Sequence, residues 1–226
     1  ACKDLLGEAI YGLPEINRDQ IKRARLVANP GCYPTAIQLG LLPLIKNNLI
    51  DKNTIIADAK SGISGAGKKL ESSFLMAEAS ESFKAYGIEG HRHLPEIEET
   101  LSAYAAGERV KLTFVPHLLP MVRGIHATIY VDAKEEFDVS DLYESFYNKE
   151  PFVDIMPAST CPDTKSVRAS NICRIAPYRE RGTNRVIILS VIDNLMKGAA
   201  GQAVQNMNIM MGFEEVSGLA LGPITP

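Results

Sequence analysis

The segment Asn29-Pro30-Gly31-Cys32-Tyr33-Pro34-Thr35 constrains this chain more than any other. It follows the apolar run Ala24-Arg25-Leu26-Val27-Ala28 and precedes a helical pattern from Ala36 to Leu49, so it joins a buried strand to a helix N-terminus. Pro30 and Gly31 force the turn, and Pro34 is tolerated because the first helical turn has no intrahelical use for its amide hydrogen. Cys32 is thereby held where unpaired N–H groups and the helix dipole favour an anion. Such surroundings lower a thiol pKa from about 8.5, so Cys32 is expected to be the most reactive thiol of the chain. The same residues also read as a small cysteine buried in a strand-to-helix turn, where free cysteines are common.

The 226 residues exceed one usual domain of about 100 to 150 and suffice for a sizeable core. Charged residues make up 23% with a net charge of −3, so no basic field attracts nucleic acid. No apolar stretch approaches the roughly eighteen residues that span a bilayer, and the expectation is a cytoplasmic protein with no membrane partner. Cys2, Cys32, Cys161 and Cys173 are too scattered for a disulfide framework, and none stands in C-x-x-C spacing, so no metal site is expected.

Strand patterns occupy 26–29, 54–59, 111–116, 125–132, 152–156, 172–177 and 185–193, and helical patterns 35–49, 95–106, 140–148 and 199–212. The first helix is apolar nearly all round and is expected to be buried on more than one side. Pro95 reads as a first helical residue, followed by acidic Glu96, Glu98 and Glu99. Later strands separated by short turns as well as helices predict an α/β chain with a mixed sheet rather than a doubly wound parallel one. The chain starts Ala-Cys-Lys-Asp and has no G-x-G-x-x-G after a strand, so the expectation is that a nucleotide-binding first half has been removed.

Three further constellations carry chemistry. Ser61-Gly62-Ile63-Ser64-Gly65-Ala66-Gly67-Lys68-Lys69 follows a strand and offers amides that could converge on a phosphate. Lys69 stands where an NTPase needs Ser or Thr for Mg²⁺, which excludes an ATPase and leaves a phosphate or dinucleotide loop, or a plain Gly-rich turn. Gly90-His91-Arg92-His93-Leu94-Pro95-Glu96-Ile97 places two imidazoles suited to proton transfer and a guanidinium ahead of a helix, unless it is a solvated basic turn. Arg123 supplies another cation suited to a carboxylate or phosphate. In Asp193-Asn194-Leu195-Met196-Lys197-Gly198-Ala199-Ala200-Gly201-Gln202-Ala203-Val204-Gln205, small residues permit close backbone approach and Asn194 offers the donor and acceptor that an amide ligand needs. Met207, Met210 and Met211 read as core or subunit packing.

In this order, N-P-G-C-Y-P-T, S-G-I-S-G-A-G-K-K, G-H-R-H-L-P-E-I and D-N-L-M-K-G-A-A-G-Q-A-V-Q resemble the N-acetyl-gamma-glutamyl-phosphate reductases, from Tyr11-Gly12-Leu13-Pro14-Glu15 to the C-terminus. Aspartate-semialdehyde dehydrogenases share the chemistry but place Asn before the catalytic Cys, where this chain has Gly31. The resemblance implies an arginine-biosynthesis enzyme that reduces N-acetyl-glutamyl phosphate to the semialdehyde with NADPH, releasing phosphate. It implies a catalytic and dimerisation domain like that of glyceraldehyde-3-phosphate dehydrogenase over 32–193. Remnants of a Rossmann domain would occupy 1–31 and 194–226, and the cofactor would be held mostly by the missing N-terminal half. Cys32 matches the nucleophile and His91 the acid/base residue. Ser61, Gly62, Ser64, Gly65 and Asn194 match cofactor-lining regions; His93, Arg92 and Arg123 are candidates for substrate binding. A homodimer or homotetramer follows by the same resemblance, as does a fragment inactive alone. A Cys-His acyltransferase or hydrolase without nicotinamide, and a non-catalytic dimerisation module, remain the competing readings.

Overall fold

The computed structural model describes residues 2–68, 71–72 and 75–224; Lys69 lies outside them. After a 3-10 turn over Lys3–Glu8, strand β1 (Ile10–Tyr11), helix α1 (Pro14–Arg23) and strand β2 (Val27–Ala28) form a small βαβ unit, its strands paired in parallel. Helix α2 (Cys32–Lys46), strand β3 (Ile55–Ser61), a 3-10 turn over Ile63–Ala66, helix α3 (Met76–Ala79), strand β4 (Lys84–Ala85) and helix α4 (His93–Ala103) follow. Strands β5 (Leu112–Leu118) and β6 (Ile125–Asp132), helix α5 (Val139–Tyr147), strands β7 (Val153–Ile155), β8 (Cys173–Arg179) and β9 (Arg185–Ile192), a π turn over Met196–Ala200 and helix α6 (Gly201–Met211) complete the order.

Seven strands form one sheet in the order β4-β5-β3-β6-β9-β8-β7, parallel at β3/β5 and β7/β8 and antiparallel elsewhere. The expected mixed sheet is therefore present. Alternation along β3 and β6 turns Ile55, Ala57, Ala59, Ile125, Ala127, Ile129 and Val131 into the core. Helix α2 crosses this face so closely that a Cβ at Gly40 would stand 2.8 Å from Ile129 Cδ1. Every α2 residue from Tyr33 to Ile45 is buried, as its all-round apolar pattern predicts.

Pro43 has no N–H for the Leu39 carbonyl one turn earlier. Helix α5 supplies the missing donor, Tyr147 Oη donating to the Leu39 carbonyl, and Tyr143 Oη donates to the neighbouring Gly40 carbonyl, each at 2.5 Å. A helix-breaking residue thus becomes a docking point for a neighbour.

Boundaries move in several places. Helix α2 starts three residues earlier than predicted, so Cys32 is itself the first helical residue, and α4 starts at His93, making Pro95 its third residue. The pattern over 199–212 divides into the π turn and α6, while β1, α1 and β4 carried too little periodicity to be predicted. Met207 and Met211 are exposed on α6, so the core reading of these methionines does not hold. Among the described residues no helix is long and apolar enough to cross a membrane.

Candidate functional site

The nucleophile turn is gripped on several sides. The Gly31 amide donates to Glu96 Oε1 at 2.8 Å, and the Gly31 carbonyl accepts from the Thr35 amide at 3.0 Å and hydroxyl at 2.9 Å. A Cβ at Gly31 would lie 2.6 Å from His93 Nε2, and one at Gly198 would lie 2.8 Å from Cys32 Cβ. Both glycines are therefore required for close approach, one by an imidazole and the other by the π turn. Asn29 Nδ2 reaches across to the Ala199 carbonyl at 3.2 Å, tying the same turn to the same neighbour.

The expected depression of the Cys32 pKa is corrected by its surroundings. Burial pushes the thiol up, outweighing the lowering by the amides of Tyr33 and Cys32 and by the Arg92 guanidinium. The helix N-terminus acts in the anticipated direction, but desolvation of the thiolate is the larger effect.

His91 and His93 come together with ring centroids 4.8 Å apart. His91 also meets Tyr33, Tyr86 and Phe114 edge-on. Its Nδ1 accepts the His93 amide at 3.1 Å, which leaves the proton of a neutral ring on Nε2. Burial, with help from Arg92, lowers the His91 pKa. His93 is driven down to about 4 by burial, then by His91 and Arg92. Tyr86 Oη donates to Tyr33 Oη at 3.2 Å, which donates to the His117 carbonyl at 3.2 Å.

A cleft of about 540 Å³ opens beside these groups. Ser61, Gly62, Gly65 and Ala66 line one part of it; Lys84, Tyr86, His91 and Arg92 line another, with Glu71 and Leu118. Five amides of the loop are already engaged. They are donated within the protein: Gly62 to Gly124, Ile63 to Met121, Ser64 to Val122, Gly65 to Gly62 and Gly67 to Ser64.

Two further candidates are also committed internally. Asn194 Oδ1 accepts the Gly124 amide at 2.6 Å and its Nδ2 donates to Ser64 Oγ at 2.9 Å, so its amide pins the loop rather than standing free for a ligand. Arg123 pairs with the fully buried Asp193 at 2.8 Å, and Asp193 Oδ1 caps the π turn by accepting the Leu195 and Met196 amides. That pair engages one terminal nitrogen of the Arg123 guanidinium.

Glu96, Tyr86 and Lys84 were not singled out as site residues from sequence. For Glu96 a signal existed: it follows His93 by three residues, and that spacing shares a helix face. Tyr11, whose hydroxyl donates to Glu96 Oε1 at 2.8 Å, joins from 85 positions away and carried none.

Residues 32–194 match the family model described as semialdehyde dehydrogenase, dimerisation domain. N-acetyl-gamma-glutamyl-phosphate reductase of Laribacter hongkongensis is 61% identical over 100% of this chain and 66% of its own length. That of Thiobacillus denitrificans is 60% identical over 97% of this chain and 64% of its own. The chain therefore spans just under two thirds of these relatives. Among solved structures, aspartate semialdehyde dehydrogenase II from Vibrio cholerae superimposes with a TM-score of 0.72 at 15% identity, covering 92% of this chain and 69% of that one. A probable aspartate-semialdehyde dehydrogenase from Pseudomonas aeruginosa gives 0.66 at 16% identity over 90% and 68%. These likenesses show the fold, an α/β chain with a mixed sheet shared with the semialdehyde dehydrogenase structures.

Proposed function

The chain belongs to the semialdehyde dehydrogenase dimerisation-domain family, and from that premise we propose that its protein reduces N-acetyl-glutamyl 5-phosphate to N-acetyl-glutamate 5-semialdehyde with NADPH, a step of arginine biosynthesis. One observation carries the reading: Cys32 is the first residue of a helix, packed against Gly198 and preceded by Gly31, which His93 closely approaches, while His91 and Arg92 of the same histidine segment line a cleft.

The thiol sulfur of Cys32 attacks the acyl carbonyl, the C–O bond to phosphate breaks, and the thiol proton leaves with the phosphate, giving a thioester. The amides of Cys32 and Tyr33 at the helix start face the reacting sulfur and suit the oxyanion that forms there; one such donor is worth roughly 3 kcal/mol. In this reading His91, which lines the cleft and keeps its Nε2 free of the His93 amide, donates its Nε2 proton to the same oxygen. After reduction the tetrahedral adduct on Cys32 collapses, expelling the thiolate and releasing the aldehyde; the thiolate then regains its proton.

When bound, a nicotinamide supplies the hydride. The cleft has room for such a ring beside an acyl chain, with Ser61, Gly62 and Gly65 as its wall and Ser64 and Asn194 holding that wall from behind. With five loop amides engaged, a pyrophosphate would take its donors from other backbone. The β1-α1-β2 unit supports this division, since two short parallel strands do not make a stable sheet by themselves. Asn206 Nδ2 donates to the Gly12 carbonyl at 2.8 Å, tying α6 to the turn after β1.

The test is phosphate-dependent reduction of NADP by N-acetyl-glutamate semialdehyde with the intact protein, together with Cys32→Ser. Activity that vanishes in the variant, and a thioester trapped on Cys32 when nicotinamide is withheld, support the reading. Acyl transfer or hydrolysis that never requires nicotinamide would overturn it in favour of a Cys-His acyltransferase or hydrolase.

A further inference from the structure

Two cations line the cleft, Arg92 beside the start of α4 and Lys84 on β4, and neither pairs with a carboxylate among the described residues. They are not equivalent in position. Arg92 stands between His91 and His93 at the start of α4, whereas Lys84 lines the cleft from the edge strand β4. Lys84 lies two residues from Tyr86 on extended chain, so both side chains reach the same cleft. Tyr86 is tied through its hydroxyl to Tyr33, the residue after Cys32, at 3.2 Å. About 7 Å of extended backbone separates Lys84 from Tyr86. Leu118, the cross-strand partner of Lys84, and Ala66 give the cleft apolar surface. Lysines on edge strands often serve only to deter sheet-to-sheet pairing, but this one borders a cavity.

An acyl phosphate carries its phosphate one bond from the carbonyl carbon that sulfur attacks. The glutamyl chain carries its other carboxylate about 5 Å from that carbon, across four C–C bonds. A substrate anionic at both ends thus matches two cations on separate elements of one cleft, with methylenes between them against Leu118 and Ala66. We propose that Lys84 binds the distal carboxylate and so selects the acyl phosphate of a dicarboxylic acid, while Arg92 serves the phosphate. This assignment rests on the reductase reading and adds to it the residue that recognises the far end of the substrate.

The oxidative direction separates the two anions, because phosphate and semialdehyde are then independent substrates with their own KM values. In the intact protein, Lys84→Met is expected to raise the KM for N-acetyl-glutamate semialdehyde about 30-fold, the scale of one lost charge-assisted hydrogen bond, while kcat falls less than about threefold. The KM for phosphate stays at the wild-type value. Lys84→Arg restores most of the semialdehyde affinity, and 4-acetamidobutanal, which lacks the carboxylate, is handled alike by wild type and Lys84→Met. A rise in the phosphate KM instead, or unchanged KM values for both substrates, overturns the assignment while the wild-type activity upholds the reductase. A wild-type protein with no phosphate-dependent oxidation removes the reductase reading and this assignment together.

Discussion

A thiol at the first position of a helix feels two opposed influences, and at Cys32 burial prevails over the helix end. Reactivity toward a small neutral reagent is therefore a poor guide to function here. Cys161 is exposed, while Cys173 is fully buried with its pKa pushed up to about 12. Iodoacetamide mapping at pH 7 is expected to find Cys161 labelled before Cys32, and Cys173 last. This reverses the order that the helix-terminus argument alone predicts. An anionic acyl phosphate is expected to modify Cys32 in preference to Cys161, because Arg92 and Lys84 line the cleft. Equal acylation of both thiols would remove substrate guidance from the account. The importance of Cys32 was legible from its turn; its protonation state was not, since burial depends on Gly198, which meets it from far along the chain.

His93 gives a second test at this scale. Its pKa is about 4 in the folded protein against an ordinary value of 6.5, so the unfolded chain binds more protons between those limits. Its contribution to stability is fully present above about 6.5 and is lost as pH falls through 4. Burial lowers His91 and His126 in the same direction. Tm is expected to fall between pH 7 and pH 4.5, with a shallower slope in His93→Gln. A slope identical in that variant would show that His93 is not among the groups responsible.

At the scale of elements, the helices and strands predicted from sequence are those whose periodicity is strong. Strand β6, with four buried residues alternating with four partly exposed ones, appears with the predicted bounds. The π turn was not legible because its support comes from distant side chains. Lys197, fully buried within it, donates to Glu15 at 2.5 Å and to Gln205 at 2.9 Å, and Glu15 is 1% exposed on α1. Gly198, the next residue, is what packs against Cys32. Lys197→Met leaves a buried carboxylate unpaired and is expected to cost roughly 3–5 kcal/mol in urea unfolding. Combining it with Glu15→Gln removes that charge, so the double variant is expected to recover much of the loss. Purely additive losses would mean that the two residues stabilise the fold independently. On α2, Tyr147→Phe strands the Leu39 carbonyl that Pro43 cannot serve, at an expected cost of roughly 1–3 kcal/mol.

The whole molecule is one-sided. Helices α2 and α5 pack on one face of the seven-stranded sheet, with α4 against α2, while the opposite face presents a row formed by register across four strands. Ile56 pairs with Tyr130, Tyr130 with Ile187, and Ile187 with Tyr178, so these four side chains lie side by side on that face. Ile56 is exposed and the other three are half-buried. An antiparallel sheet tolerates solvent on one face when that face is polar, whereas this row is apolar and aromatic. A second copy related by a twofold axis would cover it with the same row and bury both at once. Sedimentation equilibrium is therefore expected to give a mass of two or four chains, and Ile187→Glu, which sets a charge in the centre of the row, to halve it. The α6 end offers a competing patch in Met207, Met211 and Phe213, all exposed. Association that survives Ile187→Glu but is lost in Met211→Lys would move the interface there, and would leave the sheet face open in solution.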